Sequence, residues 1–105
     1  PIDSDLWDTI CTTAERAALD ALPIVARGLA VKRIFCVKEA VYKAQFTLTG
    51  ALLDFDAVDV AIHGRTFTAT FRSPPPGLPA PVLGGRITET PAGYLAALAI
   101  PRGTP

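Results

Sequence analysis

The sequence carries no excess charge: ten lysines and arginines balance ten acidic residues over 105 positions. Without a global basic field, wholesale nucleic-acid binding and capture by an anionic membrane surface are excluded as its main business. No apolar run approaches the ~18 residues that a membrane-spanning helix requires. Nor does a basic stretch followed by an apolar one open the chain, as in a signal peptide. Cysteine is scarce. Cys11 and Cys36 are too few for a disulfide scaffold, and no Cys-x-x-Cys or Cys/His cluster is present for zinc. The two read as buried thiols of a reduced, cytoplasmic protein. Histidine is scarcer still. His63 stands alone in His63-Gly64-Arg65, between two alternating apolar segments, where a hairpin turn is expected. A Ser-His-Asp or Cys-His scheme has little to rest on.

What is present describes one small domain over residues 1–105, half of it apolar, with enough hydrophobic surface to escape disorder. Ser4 to Cys11 reads as a short helix capped by Ser4. Thr12-Thr13-Ala14-Glu15 has capping-box spacing, with Thr12 as N-cap and Glu15 at the third helical position. That second helix should stop near Leu22, because Pro23 disfavours helical geometry in the residue before it. A long third helix is expected from Ile24 or Ala26 to Ala44 or Gln45, with Thr47 to Gly50 as its exit. Val58, Val60 and Ile62 alternate, then Phe67, Ala69 and Phe71, predicting two strands around the His63 turn. Five prolines between positions 74 and 81 make a stiff connection. Two further strands, Val82 to Thr90 and Tyr94 to Ile100, follow around a turn at 91–93. The expected fold is α+β: one long helix plus short helices packed on a mainly antiparallel three- to four-stranded sheet.

Balanced overall, the charge is uneven along the chain. Residues 21–45 hold Arg27, Lys32, Arg33, Lys38 and Lys43 against Glu39 alone, a pattern suited either to an anionic ligand held through a metal or to an ordinary solvated helix face. On a wheel of 100° per residue, Ile34, Val37, Val41 and Ala44 share one side, while Lys38, Glu39, Tyr42 and Lys43 fall on another. Glu39 and Lys43, four apart, have the favourable order for a simple side-chain pair on an exposed face.

The exact string adds more. Phe35-Cys36-Val37-Lys38-Glu39-Ala40-Val41-Tyr42-Lys43 resembles the signature of 4′-phosphopantetheinyl transferases, an aromatic residue followed by x-x-Lys-Glu-Ala-x-x-Lys. The flanks Leu6-Trp7, Ala14-Glu15-Arg16, Gln45 to Gly50 and Leu53-Asp54-Phe55 also resemble the enterobactin-type, two-lobed branch, so the likeness runs over roughly residues 5–100. It implies a Mg²⁺-dependent enzyme that moves phosphopantetheine from coenzyme A to a serine of an acyl- or peptidyl-carrier protein of secondary metabolism, releasing 3′,5′-ADP. Glu39 matches the glutamate that binds Mg²⁺ and helps deprotonate the acceptor serine; a hard carboxylate beside diphosphate suits that ion. Lys43 matches the lysine at the coenzyme A phosphates, placed to neutralise charge on the departing ADP. Lys38 matches the preceding lysine, a second phosphate contact.

One part of the family pattern is absent. Two-lobed members hold their metal partly with Asp-x-Glu in a Gly-Ile-Asp-x-Glu context, and no Gly-x-Asp-x-Glu occurs in these residues. Asp54 and Asp56 have the spacing but lie in a different segment. The chain is therefore expected to be the C-terminal lobe, inactive when isolated, with Asp-x-Glu supplied by a missing N-terminal lobe or a partner chain. The alternative keeps the fold and drops the chemistry: a degenerate lobe acting as a binding or regulatory module. A small homotrimeric synthase fits the length but lacks the Gly-Thr-Asp-like motif that type needs.

Overall fold

The computed structural model describes residues 4–91 and 93–99. A 3-10 turn over Ser4–Leu6 leads into α1 (Trp7–Ile10). Ser4 therefore lies inside the turn and does not cap a single helix; α1 has no side-chain cap. The capping box holds: Thr12 Oγ1 accepts from Glu15 N at 3.2 Å, Glu15 Oε1 accepts from Thr12 N at 2.7 Å, and α2 (Thr13–Asp20) follows.

Pro23 then caps α3 (Ile24–Thr49), which runs four residues past Gln45, the latest end expected from the sequence. Its polar end is helical because its groups are satisfied locally. Gln45, fully buried, donates to Ala51 O at 2.7 Å, and its Oε1 accepts from the Thr49 hydroxyl at 2.8 Å. The stop is Gly50, whose φ of 71° is the left-handed conformation that ends helices.

A short 3-10 turn at Phe55–Ala57 precedes the strands β1 (Val58–His63), β2 (Thr66–Phe71), β3 (Val82–Thr90) and β4 (Gly93–Ala99). They form one antiparallel meander in the order β1-β2-β3-β4. The His63 hairpin is as expected: His63 faces Thr66 across Gly64-Arg65, and Gly64 takes a φ of 63° that a two-residue hairpin loop demands. Ile100, expected in the last strand, lies outside the described residues.

Alternation puts Val58, Val60, Phe67, Ala69, Phe71, Leu83 and Ile87 on the face that α3 covers with Val31, Ile34, Val37 and Val41; α2 adds Leu19 and α1 adds Ile10. Register aligns Ile62, Phe67, Gly85 and Leu98 in one row across the sheet. Phe67 fits there because Gly85 has no side chain. A Cβ on Gly85 would meet the Ala97 carbonyl oxygen and lie 2.5 Å from Phe67 Cζ. Gly85→Ala is expected to destabilise the fold by about 1–3 kcal/mol through overpacking. Gly84→Ala, with its nearest neighbour an ordinary 3.6 Å away, should change stability by less than about 0.5 kcal/mol. Urea denaturation of the two variants checks the contrast.

Candidate active site

The long helix borders two depressions. One is a cleft of about 290 Å³ whose lining includes Glu39, Tyr42 and Lys43 from α3 and Leu53, Asp54 and Phe55 from the segment that leaves it. The other is an open trough of about 530 Å³ on the β4 side, floored by Ala40 and Ala44 and walled by Tyr94, Leu95 and Leu98. Glu39 and Lys43 border both. They are exposed, one helical turn apart, on a ridge between the two spaces. Among the described residues no ion pair joins them, so the simple Glu39–Lys43 pair is not formed.

Aromatic packing stiffens this region. Tyr42 stacks on Phe46 with ring centroids 6.1 Å apart and planes 13° from parallel. Phe35 packs on Phe55 at 5.7 Å, which fastens the outgoing segment to the helix from the side.

Lys38 is not where the wheel put it. It is buried, at 3% exposure. Its ammonium lies 2.7 Å from Glu15 Oε1, 2.7 Å from Ile10 O and 2.7 Å from Phe55 O. An ammonium has three donors, and these three acceptors use them all, so in this geometry none is free for a phosphate. The physical reason for the difference is spacing. Val31, Ile34, Lys38, Val41 and Gln45 follow a three-four alternation and are all buried. Lys38 belongs to the inward stripe by position, and its charge is tolerated there because Glu15 meets it. Glu15 is the residue that sequence reasoning missed. Its spacing from Thr12 identifies it only as a cap, yet its Oε2 also accepts from Val60 N in β1 at 2.6 Å. Asp54 is the other addition: the structure brings it to the same cleft as Glu39 and Lys43.

The residues present fit a magnesium ion in a limited sense. Glu39 offers one exposed carboxylate at the cleft, and Mg²⁺ usually takes one or two, completing its shell with water and phosphate oxygens. Among the described residues no group of three His, Cys, Asp or Glu is arranged around a common point. No helix of the described residues is long and apolar enough to cross a membrane.

Comparison of the sequence with known families bears on the chain independently of this geometry. The match to the 4′-phosphopantetheinyl transferase superfamily spans residues 1–97, and the chain belongs to that superfamily. Among characterised relatives, it is 40% identical over 78 residues to the 4′-phosphopantetheinyl transferase Svp of Streptomyces mobaraensis. That alignment takes in 67% of this chain and 30% of the relative, so the chain corresponds to under a third of the relative's length.

Both cysteines are free thiols, and neither is tuned as a nucleophile. Burial, followed by the Glu15 charge, pushes the Cys11 thiol up to about 11. Burial also raises Cys36, with Glu39 contributing. A raised thiol pKa leaves less thiolate at a given pH. A thiol whose pKa stands about two pH units higher holds roughly a hundredfold less thiolate near neutrality. Alkylation of Cys11 by iodoacetamide just above neutral pH should therefore be slower by about that factor in the native protein than in denaturant. Peptide mass spectrometry of the time course measures it.

Proposed function

We propose that this chain is the C-terminal lobe of a phosphopantetheinyl transferase that carries phosphopantetheine from coenzyme A to a serine hydroxyl of an acyl- or peptidyl-carrier protein of secondary metabolism. The observation that carries the reading is the pairing of exposed Glu39 and Lys43 on one cleft. A carboxylate and an ammonium about 6 Å apart along a helix face suit a diphosphate, one acting through a cation and the other directly.

In the proposed reaction the serine oxygen bonds to the phosphorus that bears the pantetheine arm. The bond from that phosphorus to the bridging oxygen breaks, and 3′,5′-ADP departs with the electron pair. Mg²⁺, when bound, would neutralise diphosphate charge and be held by Glu39. The same carboxylate helps accept the proton of the serine hydroxyl. Lys43 meets the charge that builds on the departing ADP, so it stabilises the transition state more than the bound coenzyme A.

A one-carboxylate metal site is incomplete for this chemistry. The remaining ligands, in the family's Asp-x-Glu, are assigned to a part of the full-length polypeptide outside these residues or to a partner chain. The short span of the Svp alignment on its relative supports that assignment. Two free cysteines suit a reducing, cytoplasmic setting. A second reading, a lobe that binds without catalysing, is equally compatible with the missing Gly-x-Asp-x-Glu, and kinetics separate the two.

In the full-length enzyme, Glu39→Gln should nearly abolish transfer of phosphopantetheine to an apo-carrier protein. It should leave the melting temperature within a few degrees, because the residue is exposed. Normal transfer, or unfolding, would remove Glu39 from the site. Lys43→Ala should lower kcat by about tenfold or more, equivalent to about 1.4 kcal/mol of transition-state stabilisation. The KM for coenzyme A should rise less, and Lys43→Arg should recover only part of the loss. Residues 1–105 alone should label no carrier protein. Robust labelling by that fragment would show that the site is complete without further residues.

A further inference from the structure

The buried charges of Glu15 and Lys38 take no part in the proposed chemistry, yet Lys38 lines the inner side of the same cleft and Glu15 is its partner. Their side chains are 1% and 3% exposed. Burial of an ion pair seldom adds stability over apolar residues of the same size, so its presence here calls for another reason. What such a pair has and an apolar contact lacks is direction. Lys38 reaches the last carbonyl of α1 at Ile10, the first turn of α2 at Glu15 and the cleft-lining segment at Phe55 O. Glu15 reaches the N-cap of α2 at Thr12 N and the middle of β1 at Val60 N. One charge pair, carried by α2 and α3, thus ties these two helices to α1, the 53–55 segment and β1.

Two consequences bear on the cleft. With Lys38 fixed inward, α3 cannot rotate about its axis, and the next residue, Glu39, is turned about 100° away toward the opening. The Phe55 carbonyl, held to Lys38 at 2.7 Å, keeps Leu53, Asp54 and Phe55 as a wall facing Glu39 and Lys43. We infer that Glu15 and Lys38 are positioning residues for the Glu39–Lys43 cleft, setting the phase of α3 and the distance of the 53–55 wall, and that Lys38 does not bind phosphate. The inference rests on the reading under Proposed function for its kinetic part only.

A double-mutant cycle in the full-length protein tests it, with Glu15→Gln, Lys38→Met and both together. The double variant leaves no buried charge unpaired, so it is the variant expected to fold with a melting temperature near that of the parent. Without any ligand, amides of residues 53–58 should exchange with deuterium at least about tenfold faster in the double variant, a local opening that global unfolding does not mimic. In transfer assays, kcat should fall about 10- to 100-fold in the double variant, since a displacement of about 1 Å costs that much. The KM for coenzyme A should change less than kcat, and the double variant should be no worse than either single one, because both singles break the same device.

Unchanged exchange in residues 53–58, or parental kcat in the folded double variant, overturns the inference. So does a rise in KM for coenzyme A on Lys38→Met that Glu15→Gln does not share, because that pattern belongs to a direct phosphate contact. If the parent full-length protein transfers no phosphopantetheine, the functional reading fails. The ligand-free exchange comparison then still decides whether the pair holds the wall.

Discussion

The Glu15–Lys38 ion pair is the constraint on which this fold turns. It has almost no access to water, and a buried charge that loses its partner is far more costly than a lost surface contact. The pair can exist only if each remaining donor and acceptor is also met, and here the carbonyls of Ile10 and Phe55 and the amides of Thr12 and Val60 meet them. Local elements that the sequence would form independently, a capped helix, a long helix and a hairpin, are thereby locked at one relative arrangement. Apolar packing between α3 and the sheet supplies most of the burial. It does not by itself choose among neighbouring rotations of a helix whose flanks are also rich in apolar residues.

That ambiguity is visible on α3. Ile24, Val25, Leu29, Phe46 and Leu48 are exposed apolar residues of the helix, while Lys38 and Gln45 are buried polar ones. A simple amphipathic rule fails at both. The helix is phased by hydrogen bonds from its two buried polar side chains, one near its middle and one near its end. Between these anchors Glu39 and Lys43 point outward. The exposed ridge of Glu39 and Lys43 thus follows from the burial of Lys38 and Gln45, which line the inner side of the same cleft.

Much of the fold is legible in the sequence because its signals are local. The Thr12/Glu15 box, the break at Pro23, the two-residue loop after His63 and the alternation in β1 and β2 each depend on residues within a few positions of one another. Glu39 and Lys43 are legible as candidates from a short string. Their joint exposure on one cleft is not, since exposure depends on the sheet and on the 53–55 segment. The end of α3 reads short because Thr47 and Thr49 look like exit residues. Thr47 in fact donates back to Lys43 O at 3.0 Å and Thr49 to Gln45. The helical wheel misplaces Lys38 for a different reason. Its partner lies 23 positions upstream, and periodicity carries no information about a partner on another element.

One bond of the central pair has an effect outside the site. β1 is a terminal strand of the meander, with β2 on one side only. Unpaired amides along such a strand are a template for another chain and a route to aggregation. Here the amide of Val60, in the middle of β1, is already taken by Glu15 Oε2, and α2 lies against that strand. The carboxylate that orients Lys38 thus also acts as a guard on an otherwise open rim of the sheet, so that loss of Glu15 would cost solubility as well as geometry.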